Sequence, residues 1–216
     1  MLFFEAALEV HRRFMNARIA THFVVLSASG LAGAVAVLAW APFGFWPLVI
    51  GCYGLLFWLL QRRSHSLRSA LSVGAAFGLG LHGVGHGWMY GTLHGQVGLG
   101  PIAAGLSTLL YLCYLAAFTA LPCALIGIIA SRLPDRAAPL FRWPELLCFA
   151  AALTLGEWLR SFLFNGFTSL SVGYVTVDNW LGGYAPVGGL YLASFVIYLL
   201  AGLSALVLMP AGRGGW

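Results

Sequence analysis

Three groups of side chains in this 216-residue sequence combine residue type and spacing in ways that could do chemistry. His82 and His86 stand four residues apart, so a helix would put them on one face. Two neutral imidazoles placed so could ligate a metal or haem. With no Glu or Cys nearby and no second His pair, the ordinary role is hydrogen bonding between helices. Glu157 and Arg160 stand three apart inside an apolar stretch, where a charge costs about 2.5–3.5 kcal/mol to insert and so needs a partner. The spacing allows an ion pair between the two, and it equally allows both to line a polar cavity for a lipid headgroup. The cysteines Cys52, Cys113, Cys123 and Cys148 all fall in apolar stretches without Cys-x-x-Cys spacing, where the ordinary role is a small buried hydrophobe. The sequence contains no Gly-rich phosphate loop, Gly-x-Ser-x-Gly elbow or His-Glu-x-x-His helix, and no lysine at all.

The elements that must carry these residues are set by lipid. Hydrophobic residues make up 61% of the chain and charged ones 8%, with mean hydropathy +0.90, far from the soluble range of about 45–50% apolar and about 25% charged. The net charge of +5 does not point to nucleic acid, because no basic face or module accompanies it. Ten of the eleven arginines instead fall in four short gaps: Arg12, Arg13 and Arg18; Arg62, Arg63 and Arg68; Arg132, Arg136 and Arg142; and Arg213. Arg160 is the exception.

The stretch 21–60 has no acidic or basic residue apart from His22, and at ~1.5 Å per residue one helix of that length would cross the ~30 Å hydrocarbon layer twice. It must fold back, and Ala41-Pro42-Phe43-Gly44-Phe45-Trp46-Pro47 supplies the turn: its prolines remove donors and disfavour helix before themselves. The stretch 69–131 repeats the pattern around Gly95-Gln96-Val97-Gly98-Leu99-Gly100-Pro101, and a third pair is predicted over 145–164 and 189–209. The reading is an all-α polytopic membrane bundle of about six transmembrane helices in three hairpins. The arginine gaps place both termini in the cytoplasm.

Three segments are expected: an amphipathic interfacial helix over 1–20, a transmembrane domain over 21–209 and a short cytoplasmic tail over 210–216. In the first, Phe3, Phe4, Ala7, Leu8 and Phe14 recur at helical spacing opposite Glu5, Glu9, Arg12 and Arg13. The third span carries two four-residue rows, one of Gly74, Gly78, His82, His86, Tyr90 and His94, the other of Gly83, Gly87, Gly91 and Gly95. Glycine at that spacing is expected to admit a neighbouring helix. The loop over 165–188 carries Gly182, Gly183, Pro186 and Gly188 among apolar residues and is expected to dip back under cover of the protein.

Several of these segments, taken in order, resemble the amino-terminal membrane domain of bacterial apolipoprotein N-acyltransferase. They are the turn at 41–47, Gly87-Trp88-Met89-Tyr90, Glu157-Trp158-Leu159-Arg160, Gly166-Phe167, Gly173-Tyr174 and Ala185-Pro186-Val187-Gly188-Gly189. The resemblance covers roughly Ser29 to Leu208. It implies a multi-pass inner-membrane enzyme of lipoprotein maturation, which takes an acyl chain from phospholipid, holds it as a cysteine thioester and passes it to the amino group of a diacylglyceryl-cysteine. That chemistry belongs to a nitrilase-like domain with a Glu-Lys-Cys triad, which these residues do not include. The resemblance therefore implies no catalytic residue, metal or cofactor here, and no acyl transfer by this chain alone.

By the same resemblance the lipid- and substrate-facing residues are Trp88, Tyr90, Glu157, Arg160, Gly166, Phe167 and Tyr174. The implied partners are phospholipid, lipoprotein and a nitrilase-like catalytic half. One departure lies within the match: Thr168-Ser169 follow Gly166-Phe167 where the family has Pro-Trp. Two readings from other classes are a free-standing six-span protein that presents lipids without catalysis and a His-ligated metal or haem protein.

Overall fold

The computed structural model describes residues 2–63, 66–132 and 143–208, with side chains described from residue 19 onward except at 63, 130–132 and 165. Seven α-helices are present among the described residues: α1 (Leu2–Ala36), α2 (Pro47–Arg63), α3 (Leu67–Gly85), α4 (Trp88–Gly91), α5 (Pro101–Arg132), α6 (Trp143–Arg160) and α7 (Ala185–Leu208). The backbone of α1 runs unbroken through residue 20. Residues 210–216 and the arginines at 136, 142 and 213 lie outside the described residues.

Ile19–Ala39, Pro101–Ile129 and Trp180–Leu208 are long and apolar enough to cross a membrane unaided. Helices α2, α3 and α6, with 17, 19 and 18 residues, are shorter. At ~1.5 Å per residue they still reach to within a few ångström of the ~30 Å hydrocarbon thickness. The six long helices close into a ring in which α1 meets α3, α3 meets α5, α5 meets α6, α6 meets α7, α7 meets α2, and α2 returns to α1. Each sequence hairpin is thus a pair of ring neighbours.

The first turn forms where the prolines put it, with Phe43 N and Gly44 N both donating to the Trp40 carbonyl. Helix α3 starts on Ser66, whose side chain accepts from Ser69 N. It ends at Gly85, because His86 leaves helical geometry (φ −122°, ψ 15°). That break corrects the expectation of one long third span: Tyr90 and His94 belong to the next turn, where their rings stack at 5.6 Å. The glycine rows divide. Gly74 and Gly78 admit α5, since a Cβ on either would press on Cys123, Ala120 or Ala116, whereas Gly83, Gly91 and Gly95 face open space; a further close approach lies at Gly80, where a Cβ would run into the Gly30 carbonyl of α1.

The core is apolar and aromatic. Tyr53, Phe57, Phe77, Phe149 and Tyr198 meet edge-on or tilted at the centre of the ring, with Tyr53 and Tyr198 centroids 4.9 Å apart. At the arginine-rich end, Gln61 Nε2 donates to Glu145 Oε2 at 3.0 Å, and the Arg62 guanidinium lies 4.3 Å from the Trp58 ring centroid. Glu157, Arg160, His82, His86 and Ser171 are buried nearer the opposite end.

Candidate functional site

The loop after α6 does what irregular backbone in a membrane protein can do only under cover of protein. Ser171, Val172, Gly173, Val175 and Thr176 are buried in the mouth of the ring, in a short turn spanning Val172–Thr176. The entry to this turn needs a left-handed residue, and Leu170 supplies it at φ 57°. A Cβ on Gly173 would collide with the Leu190 carbonyl of α7, so the loop sits as deep as a glycine permits.

Glu157 holds it there. Only 7% of Glu157 is exposed. Its Oε1 accepts from Val172 N at 2.7 Å and from Tyr198 Oη at 2.8 Å, while Oε2 accepts from Ser194 Oγ at 2.6 Å. Ser194 Oγ in turn accepts from Gly173 N at 2.8 Å. One carboxyl group on α6 and one hydroxyl on α7 thereby satisfy two consecutive loop amides that would otherwise be buried without partners.

Arg160, 3% exposed, secures the same loop from the other side. Its Nη2 donates to Ser171 Oγ at 3.1 Å and its Nη1 to His82 Nε2 at 3.4 Å. It also lies in the last turn of α6, where a cation meets the negative end of the helix dipole. The Glu157–Arg160 pairing that the spacing allows is not the arrangement found: the carboxyl oxygens are engaged by Ser194, Tyr198 and Val172, and the guanidinium reaches α3 and the loop. Trp40 adds a further tie, its Nε1 donating to the Ser171 carbonyl at 3.2 Å.

The histidines continue this network outward. His82 Nδ1 and His86 Nδ1 are 3.3 Å apart, and His86 Nε2 is 3.3 Å from Ser169 Oγ. A guanidinium only donates, so His82 Nε2 is an acceptor and its proton sits on Nδ1. His86 Nδ1 then accepts, which leaves its Nε2–H to donate to Ser169. All four ring nitrogens are engaged, and among the described residues no group of three or more His, Cys, Asp or Glu side chains comes together as a metal site.

The seven residues named from the resemblance separate into two sets. Glu157 and Arg160 are interior. Trp88, Tyr90 and Tyr174 are exposed at the mouth, with Gly166 and Phe167 half-buried beside them. The Phe167 ring packs 5.2 Å from His86 and 5.9 Å from Tyr111, and Tyr174 Oη is 3.2 Å from Thr168 Oγ1. Sequence reasoning missed Trp40, Ser171, Ser194 and Tyr198. Ser194 and Tyr198 carried a usable signal, being polar groups four apart on the last apolar helix.

Fold and site together define an all-α polytopic membrane protein in which Glu157, Arg160 and Ser194 hold one buried loop. The chain belongs to the apolipoprotein N-acyltransferase N-terminal domain family, which matches residues 32–203. It is 40% identical over 172 residues to the apolipoprotein N-acyltransferase of Pseudomonas syringae pv. tomato, covering 80% of this chain and 32% of the relative. To that of Chromobacterium violaceum it is 37% identical over 185 residues, covering 85% and 34%. To that of Pseudomonas putida it is 40% identical over 172 residues, covering 80% and 32%. The chain thus spans about a third of the length of the curated relatives it matches.

Proposed function

We propose that these residues are the membrane domain of an enzyme that N-acylates lipoproteins, using phospholipid as acyl donor, and that they bring lipid-bearing substrates to a catalytic half supplied elsewhere. The observation that carries this reading is the match over residues 32–203 to the amino-terminal domain of such enzymes. The buried loop gives it a physical basis: a partly exposed rim of Trp88, Tyr90, Gly166, Phe167 and Tyr174 can take lipid sideways from the bilayer, while Glu157 and Arg160 hold the loop that carries Tyr174. In this reading 1–20 lies on the cytoplasmic surface of a bacterial inner membrane, 21–209 spans it, 210–216 returns to the cytoplasm, and the rim faces the periplasm.

A chimera tests the proposal. Residues 1–208 of this chain replace the corresponding third of a curated relative, in a strain depleted of its own N-acyltransferase. The expected result is growth, with lipoprotein amino-terminal peptides gaining the mass of a third acyl chain; residues 1–208 alone restore neither. A chimera that accumulates folded in the membrane yet leaves lipoproteins diacylated would favour a lipid-presenting protein without a part in catalysis.

A further inference from the structure

Glu157 and Arg160 share something other than a bond. Both line a cavity of about 20 Å³ whose other walls include Tyr53, His82, Thr119 and Tyr198. A site needs roughly 10–15 Å³ and two to four polar partners to hold a water molecule. The lining groups have that capacity left. Arg160 Nε is buried without a hydrogen-bond partner. Glu157 Oε2 accepts only from Ser194, although a carboxyl oxygen has two lone pairs. Thr119 adds a hydroxyl. An apolar cavity of this size stays dry, but one lined by a guanidinium, a carboxyl group and hydroxyls does not.

We propose that this cavity is a binding site for one water molecule, which accepts from Arg160 Nε and donates to Glu157 Oε2 or Thr119 Oγ1. The water makes Glu157 and Arg160 a solvent-separated pair and joins two networks into one. Ser194, Tyr198 and Val172 then connect through Glu157, the water, Arg160, His82 and His86 to Ser169 at the surface. Such a bridge gives the Arg160 Nε–H an acceptor at membrane depth, where an unpaired buried charge is strongly destabilising. This inference does not rest on the acyltransferase reading and stands or fails separately from it.

Radiolytic hydroxyl labelling of the full chain in lipid nanodiscs tests it without any variant, because a bound water generates label at side chains that bulk solvent does not reach. Tyr53 and Tyr198, each 2% exposed, are expected to be modified several-fold faster than Phe57, 1% exposed and away from the cavity. Equal rates at all three would overturn the proposal. So would an experimental structure in which Arg160 Nε bonds directly to Glu157.

Discussion

His82 Nδ1 faces His86 Nδ1 at 3.3 Å, so each ring offers the other the same nitrogen and only one of the two can carry the proton. Arg160, donating to His82 Nε2, decides which. The two histidines are therefore held in opposite tautomers. Nitrogen-15 spectra of histidine-labelled protein in bilayers are expected to show His82 protonated on Nδ1 and His86 on Nε2. The assignment comes from loss of the signals in His82→Asn and His86→Gln. Two Nε2–H rings would contradict the chain of donors.

Glu157 accepts three hydrogen bonds at once, two of which hold the loop, directly at Val172 N and through Ser194 at Gly173 N. Glu157→Leu leaves Val172 N and the two hydroxyls without their acceptor and is expected to destabilise the protein by about 3–5 kcal/mol, the usual cost of removing one member of a buried polar or charged cluster. Glu157→Gln keeps one acceptor oxygen, and its new amide can donate to Ser194 Oγ, so the loss should be clearly smaller. Thermal unfolding in detergent gives the order, and hydrogen exchange at the Val172 and Gly173 amides shows whether the loop has been released. Unchanged exchange in Glu157→Leu would remove the carboxyl group from its anchoring role.

Arg160 and Ser169 stand at opposite ends of the relay and should differ in consequence. Arg160→Leu strips donors from both His82 and Ser171, whereas Ser169→Ala removes one 3.3 Å bond at an exposed hydroxyl. The serine variant is expected to cost under about 1 kcal/mol, in the lower range for a single hydrogen bond. The arginine variant should cost several times more. A double-mutant cycle between Ser169 and His86 measures the outer link, and a coupling of zero would mean that this link takes no part in holding the loop.

Gly80 is the closest approach between α1 and α3 that a substitution can probe without touching the site. Gly80→Ala drives a methyl group into the Gly30 carbonyl, and overpacking of this kind costs about 1–3 kcal/mol. Gly83→Ala, facing open space on the same helix, is expected to be neutral or slightly stabilising, because alanine favours helix. Melting temperatures of the two variants in the same detergent make the comparison, and equal values would argue against tight α1–α3 packing.

Trp88 and Trp180 are 56% and 71% exposed at the mouth, whereas Trp40 is buried against the loop. An interfacial mouth predicts that lipids brominated near the headgroup quench Trp88 and Trp180 more strongly than lipids brominated at the chain ends, with Trp40 little affected by either. Single-tryptophan versions of the protein resolve the three. Stronger quenching from the chain ends would place the mouth at the wrong depth for the proposed rim.

Much of this was legible in the residues. The arginine gaps, the proline turn at 41–47 and the apolar lengths between them determined a membrane bundle of paired helices, because in hydrocarbon the helix is the one simple way to satisfy each backbone group and turns must return to water. The same arithmetic singled out Glu157 and Arg160 as charges that needed partners. What those partners were came from the tertiary structure alone. Ser194 and Tyr198 are 37 and 41 residues from Glu157, and His82 is 78 from Arg160. Only closure of the ring brings α3, α6 and α7 around the loop. Spacing of three on one helix left an ion pair and a shared polar lining equally open. Packing decided against the direct pair, because the buried amides of the loop need an acceptor more than a guanidinium with other acceptors in reach needs that same carboxyl group.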